Sequence, residues 1–285
     1  MSNRALAVLA LAVLAVSFGA PLARLTEAAG LAVAAWRMVL ATAILLPVAA
    51  ARHGLRLEPR HRRPALLAGV ALGFHFGLWI PSLWLTSVSA SVVLVSTAPL
   101  FVLLASPRFL GVAIRARQVA SFLLALAGVV VIAWGDFRLS LVALAGDAMA
   151  LGAAVCMAAY LVVGKRLRGE LPLARYLTVV YGLAAVTIVA GVVLLRTEPW
   201  PRTSVSWLYL LGLALIPTLT GHSLLNWSLA HLPAYQVNLA LLLEPVLATA
   251  WAWLVLAEVP PVHVLPGAVL VIAALAIEFV ATRRD

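Results

Sequence analysis

The sequence predicts an all-α integral membrane protein, with ten transmembrane helices arranged as two inverted five-helix repeats. Three observations lead there. Of 285 residues, 65% are hydrophobic and only 11% are charged, far from the composition of a water-soluble domain. Apolar windows of about 20 residues, long enough to cross a bilayer as helices, recur along the whole chain. The stretch around Pro99 also resembles the stretch around Pro245, at an offset of 146 residues.

The first span is expected at about 5–24. Its sequence, ALAVLALAVLAVSFGAPLARL, has one positive charge before it and resembles a secretory leader. It is long, however, and a second apolar segment follows at once, so it reads as a retained helix. The second span, 29–51, carries Arg37 beside Trp36. RHGLRLEPRHRRP, the longest polar stretch, leads to the third span, 64–85. Gly69, Gly73 and Gly77 recur there every four residues, a spacing that lets a neighbouring helix approach closely. The fourth span, 89–107, contains Pro99, and the fifth covers 117–134. The sixth, 141–163, holds Cys156, the single cysteine, so a disulfide within the chain is excluded. The remaining spans are placed at 173–195, 206–228, 234–256 and 262–281. No soluble domain is left once these are removed. The repeats divide into 1–138 and 139–285.

Net charge is +10, a value that elsewhere suggests nucleic acid. The positions argue otherwise. With the N-terminus inside, fifteen of the basic residues fall on inner segments, four (Arg24, Arg138, Arg196, Arg202) fall outside, and Arg37 alone remains within a span. Such a bias over short loops orients the chain in the membrane, with both termini cytoplasmic. The basic surplus is a topology signal and a contact for anionic lipid heads.

Laid over each other, TAPLFVLLASPRFLGVAIRARQVASFLLALAGVVVIAW and LEPVLATAWAWLVLAEVPPVHVLPGAVLVIAALAIEFV match Pro99 to Pro245, each about ten residues into its span. Upstream, WLTSVSAS resembles WSLAHLPA with a slip of two or three residues. Five helices per half is an odd number, so the second half enters the membrane upside down. Inverted repeats of this kind place a site near the midplane, built by interrupted helices.

SVSASVVLVSTAPLF, GVVVIAWGD, WSLAHLPAYQVNLALLLEPVLA and LVLAEVPP together resemble the EamA family of the drug/metabolite transporter superfamily. The resemblance runs from AVSFGAP in the first span to the last span. Its most specific part is Leu-Glu-Pro followed by a glutamate, here Glu244-Pro245 and Glu258. The first half departs from this pattern, with Ala98 and Val112 at the matching positions. The resemblance implies a ten-helix carrier in the bacterial inner membrane that moves small metabolites, often outward, with amino acids among them.

A carboxylate inside an apolar run is costly, and an ionisable residue within a span is a functional candidate by default. Glu244 is placed to accept a substrate ammonium, to take up a coupling proton, or to serve as a structural acceptor. Pro245 and Pro99 are hinge candidates, since proline removes a helical hydrogen bond. Arg37 needs a partner. The alternatives are Glu244 at similar depth, a substrate carboxylate held bidentately, or the outer interface reached by snorkelling. His75, central in the third span, reads either as a histidine satisfied by one hydrogen bond or as a proton carrier. Trp79 and Trp84, flanking Pro81, are cavity candidates. Tyr160, His222 and Asn226, toward the inner half, suit helix–helix bonding or a substrate path equally. Trp134, Trp200, Trp207, Trp251 and Trp253 are expected in an interfacial belt. Asp147 and Glu258 are expected to reach water, and Glu278 to meet Arg283.

The chain contains no Walker-type glycine loop, no H-E-x-x-H and no G-x-S-x-G. Direct use of ATP and the common hydrolase chemistries therefore lack their residues, and no cofactor or metal is expected. The expected partners are a small-molecule substrate and the bilayer, with the proton as a candidate coupling ion. A lipid or drug flippase of the same superfamily, and a membrane-embedded enzyme, are the competing readings.

Overall fold

The computed structural model describes residues 2–134, 140–256, 259 and 261–284. Among them the regular structure is entirely helical. Eight helices are long and apolar enough to cross a membrane. They comprise Asn3–Leu25, which breaks into α1 (Asn3–Val16) and α2 (Gly19–Leu25); α3 (Gly30–His53); and α4 (Pro59–Leu85). Next come Val88–Leu110, broken into α5 (Val88–Val95) and α6 (Ala98–Leu110), then α8 (Leu141–Arg168) and α9 (Leu173–Leu194). Ser204–His231 follows, made of α10 (Ser204–Leu213), a π-helical segment (Ala214–His222) and α11 (Ser223–His231), and then α14 (Val264–Arg284). The expected fifth span is the shorter apolar helix α7 (Ala116–Ile132). The expected ninth is α12 (Ala234–Leu239), a 3-10 turn (Ala240–Leu243) and α13 (Glu244–Leu256). Eight full-length spans are thus found among the described residues, where ten were expected; the other two expected spans fall on segments that are shorter or interrupted.

The interruptions have local causes. Pro99 lies in the first turn of α6 and Pro245 in the first turn of α13, where the missing N–H has no intrahelical partner to lose. The breaks come just before, at Ser96 and Thr97 and in the 3-10 turn Ala240–Leu243, where each ring would crowd the preceding helical turn. Pro217 has a related effect inside the π segment. It donates no hydrogen bond, and the Thr218 hydroxyl caps the Leu213 carbonyl at 2.7 Å.

Helix contacts repeat between the halves. The closest pairings are α4 with α8, α7 with α14, α3 with α9, and α4 with α9. Exchanging the halves turns α4–α8 into the observed pairing of α1 with the π segment and α11. It also maps α7–α14 and α3–α9 onto themselves.

Small residues allow this packing, as expected where lipid tails remove most of the hydrophobic drive between helices. A Cβ on Gly69 would collide with Leu183 Cβ, and one on Gly73 would lie 2.7 Å from Thr187 Cβ. The glycine row of α4 is therefore a seat for α9. Gly128 of α7 and Gly267 of α14 meet backbone to backbone, each within 2.7 Å of the other's carbonyl oxygen when given a Cβ.

Candidate functional site

One cavity lies where the broken helices meet. It is walled by Val16, His75, Trp79, Val95, Ser96, Ala98, Pro99, Met157, His222, Asn238, Leu241, Leu242 and Glu244. Its walls come in pairs from the two halves. Val95 and Leu241, Ser96 and Leu242, and Ala98 and Glu244 are each related by the 146-residue offset that joins the two prolines. Val16 of the first helix faces Met157 of its counterpart, and His75 and His222 come from the third helix of each half. The cavity thus sits at the internal symmetry axis. The symmetry is broken by one charge, because Glu244 stands where the first half has Ala98.

The free volume is about 40 Å3, room for one or a few waters. A metabolite therefore enters only if the helices part.

Four buried polar atoms at this cavity, Trp79 Nε1, His222 Nδ1, Asn238 Nδ2 and Glu244 Oε1, make no hydrogen bond among the described residues. Such atoms are uncommon in folded chains, and each costs about 1–3 kcal/mol when left unsatisfied. Ten further atoms of this kind lie elsewhere among the described residues, and the four at this cavity face a space that has room for water. His75 is an exception: its Nδ1 lies 3.0 Å from the Ala153 carbonyl, and its ring stacks on Trp79 at 5.9 Å.

Arg37 stands just behind this wall and is 1% exposed, so it does not snorkel to an interface. Its Nε donates to Thr218 Oγ1 at 2.6 Å. That hydroxyl in turn donates to Leu213. The guanidinium lies 4.0 Å over the Phe76 ring, a cation–π contact that offsets part of its desolvation. Nη1 and Nη2 have no hydrogen-bond partner among the described residues. Arg37 interacts electrostatically with Glu244, but the two do not form the direct pair expected from their similar depth. Depth along two helices does not fix which faces meet, and the bond Arg37 makes is the one from Nε to Thr218.

The other expected site residues separate into two groups. His75, Trp79, His222, Pro99 and Glu244 come together at the cavity. Pro245 instead borders a neighbouring cleft with Val88, Val129 and Thr249. Tyr160 and Asn226 are fully buried, with Asn226 Nδ2 donating to the Tyr160 hydroxyl and to the His222 carbonyl. They brace α8 against α11 and do not line the cavity. Trp84 is 38% exposed and lies under the Arg24 guanidinium, away from it.

Other expected residues have these surroundings. Trp251 stacks on Phe18 and donates to Ser17 Oγ at 2.9 Å. Glu278 is buried and meets Arg117 of α7 at 3.3 Å and Gln236 at 3.2 Å; the side chain of Arg283, its expected partner, lies outside the described residues. Asp147 is only partly exposed, and its Oδ1 is buried without a partner. Glu258 and Arg138 lie outside the described residues.

Sequence reasoning missed Thr218, Ser96 and Asn238. Asn238 carried a signal, as an amide six residues before Glu244 in an otherwise apolar segment.

A model described as the EamA-like transporter family matches residues 3–134 and again residues 144–279. Among curated proteins, none matches the sequence. Among solved structures, one described only as the crystal structure of a protein superimposes with a TM-score of 0.79. The match covers 100% of this chain and 99% of the other, at 20% identity. That likeness carries the fold alone.

Proposed function

The chain belongs to the EamA-like transporter family, and from that premise we propose that it is a secondary carrier exporting small zwitterionic metabolites, amino acids foremost. The membrane would be the bacterial inner membrane, spanned ten times with both termini cytoplasmic, and the inverted halves would be 1–138 and 139–285. Transport proceeds by alternating access around the axial cavity.

The observation that supports this reading is the set of orphaned polar atoms at that cavity. Trp79 Nε1 and Asn238 Nδ2 are donors, and Glu244 Oε1 is an acceptor. A ligand with a carboxylate at one end and an ammonium at the other satisfies both kinds. Apolar walls from Val16, Val95, Leu241 and Leu242 suit an apolar side chain. Arg37, with two free guanidinium nitrogens behind Trp79, adds the positive field that a carboxylate needs. Glu244 is also the proposed proton-exchange group, because a single carboxylate at the axis cannot hold a proton and an ammonium together.

Counterflow of radiolabelled compounds into proteoliposomes tests the reading. A panel of neutral amino acids, organic cations, organic anions and fluorescent phospholipids separates the classes. Exchange of neutral amino acids that requires Glu244 is the expected result. Movement of phospholipid alone would replace this reading with a flippase.

A further inference from the structure

A second cavity, of about 530 Å3, lies between the N-terminal half of α3 and the C-terminal end of α9. It shares no lining residue with the axial cavity. Its floor is Ala32, Ala35 and Val39 from α3 with Val189 and Val192 from α9, and the neighbouring Val193 is 69% exposed on the outer face. Its lip is polar, formed by Arg196, Thr197, Glu198 and the Trp36 indole. An apolar groove at the end of two spans, open to hydrocarbon, is filled in a bilayer by a lipid tail.

The lip indicates which lipid. α9 ends in a Schellman turn, with Thr197 N–H donating to Val192 at 2.9 Å and Arg196 N–H donating to Val193 at 3.2 Å. The residue at its left-handed position is usually glycine. Here it is Arg196, at φ 51°, the only non-glycine residue with positive φ among those described. Its side chain is exposed and makes no hydrogen bond or ion pair among the described residues. Strain kept at one position is a reason to look for a role there. Two residues on, Glu198 accepts from Trp200 N–H through Oε1 at 3.3 Å, and its other oxygen can take a second donor. Trp36 Nε1 donates to the Pro199 carbonyl at 2.7 Å, which holds this lip over the groove at the depth where indoles meet lipid headgroups.

We propose that the groove binds one phospholipid whose headgroup carries both a phosphate and a primary ammonium. The tail lies along the alanines and valines, the phosphate meets Arg196, and the ammonium meets Glu198.

Native mass spectrometry of the delipidated full chain, titrated with phosphatidylethanolamine, phosphatidylcholine or phosphatidylglycerol of matched tails, tests this. One phosphatidylethanolamine should bind ahead of the other two, since choline offers no N–H donor and glycerol no cation. Arg196→Gly suits the left-handed turn, so it should fold at least as well and melt no lower, yet bind the lipid about fivefold more weakly. Glu198→Gln should keep binding but lose the preference for ethanolamine over choline. Equal binding of phosphatidylglycerol and phosphatidylethanolamine by the parent, or unchanged affinity in Arg196→Gly, would overturn the proposal. Neither result bears on transport through the axial cavity.

Discussion

Arg24 and Lys165 make the same bond in the two halves. Each stands near the C-terminal end of the first helix of its repeat. Arg24 Nη1 donates to the Leu83 carbonyl at 3.2 Å, and Lys165 Nζ donates to the Leu229 carbonyl at 2.7 Å. Leu83 and Leu229 are 146 residues apart, the offset of the paired prolines. Both bonds tie the first helix to the last turn of the third, where carbonyls lack intrahelical partners. In an inverted repeat these two ties lie at opposite membrane faces, so each fastens one side of the cavity.

Breaking one tie should bias the carrier toward opening on that side. With the proposed orientation, in a Cys156→Ala background with a reporter at Ser96→Cys, Lys165→Gln should raise maleimide labelling from the cytoplasmic side, and Arg24→Gln from the other. A rise from the same side in both variants would refute matched ties.

Glu244→Gln is expected to abolish substrate counterflow while leaving the melting temperature close to the parent's. Arg37 is bonded to Thr218 rather than to the carboxylate, so the substitution strands no salt-bridge partner. The two side chains still interact electrostatically, so combined with Arg37→Gln the stability changes should depart from additivity, but by less than the roughly 3 kcal/mol at the top of the range for residues in direct contact. A clear rescue of stability in the double variant would show a direct pair in the working protein.

Pro99→Ala and Pro245→Ala should be nearly neutral for stability, because each proline occupies a first helical turn. Both should slow transport by letting helix extend through a break. Parent-like rates in both would reduce the prolines to packing residues.

Gly73→Val should destabilise the fold by roughly 1–3 kcal/mol, the usual range for overpacking. Its Cβ would press on Thr187 at 2.7 Å and on the Ala184 carbonyl at 3.1 Å. Gly54→Val meets nothing within 4 Å but has a positive φ of 62°, so Gly77→Ala, whose nearest neighbour lies at 3.7 Å, is the better control. Thermal melts in detergent should separate the two.

Glu170, at the start of the α8–α9 turn, accepts from His61 Nε2 at 2.8 Å. That bond, with help from Arg60, holds its carboxyl below the ordinary carboxylate range. A folded pKa below the unfolded one contributes stability at pH above the unfolded value and loses it as pH falls through the folded value. Because the carboxyl is solvent-exposed, the effect is small. Glu170→Gln should therefore melt slightly below the parent at neutral pH and converge with it in acid below the ordinary carboxylate range. A gap that stays constant as pH falls below that range would exclude the linkage.

The sequence made the spans legible because membrane helices must be long and apolar, and the described helices begin and end within a few residues of the expected positions. It made Glu244 and His75 legible because any ionisable group in such a run stands out. What it left hidden was facing. Trp79 and Trp84 are five residues apart in one helix, yet one walls the cavity and the other lies under Arg24. Thr218 was hidden because its role depends on the π segment, and an ordinary 3.6-residue period gives the wrong face there.

That segment has a further consequence for chain length. The third helix of the first half has 27 residues and its counterpart, Ser204–His231, has 28. A π turn closes its ring over one more residue than an α turn, so the surplus residue is stored as girth rather than as rotation. His222 and everything after it keep their heading. A one-residue deletion between 214 and 222 would let the coil narrow to α and still aim the rest of the helix as before. The same deletion in α11 would swing the residues beyond it by about 100°. The second half thus contains a stretch in which a residue can be gained or lost without re-aiming the helix.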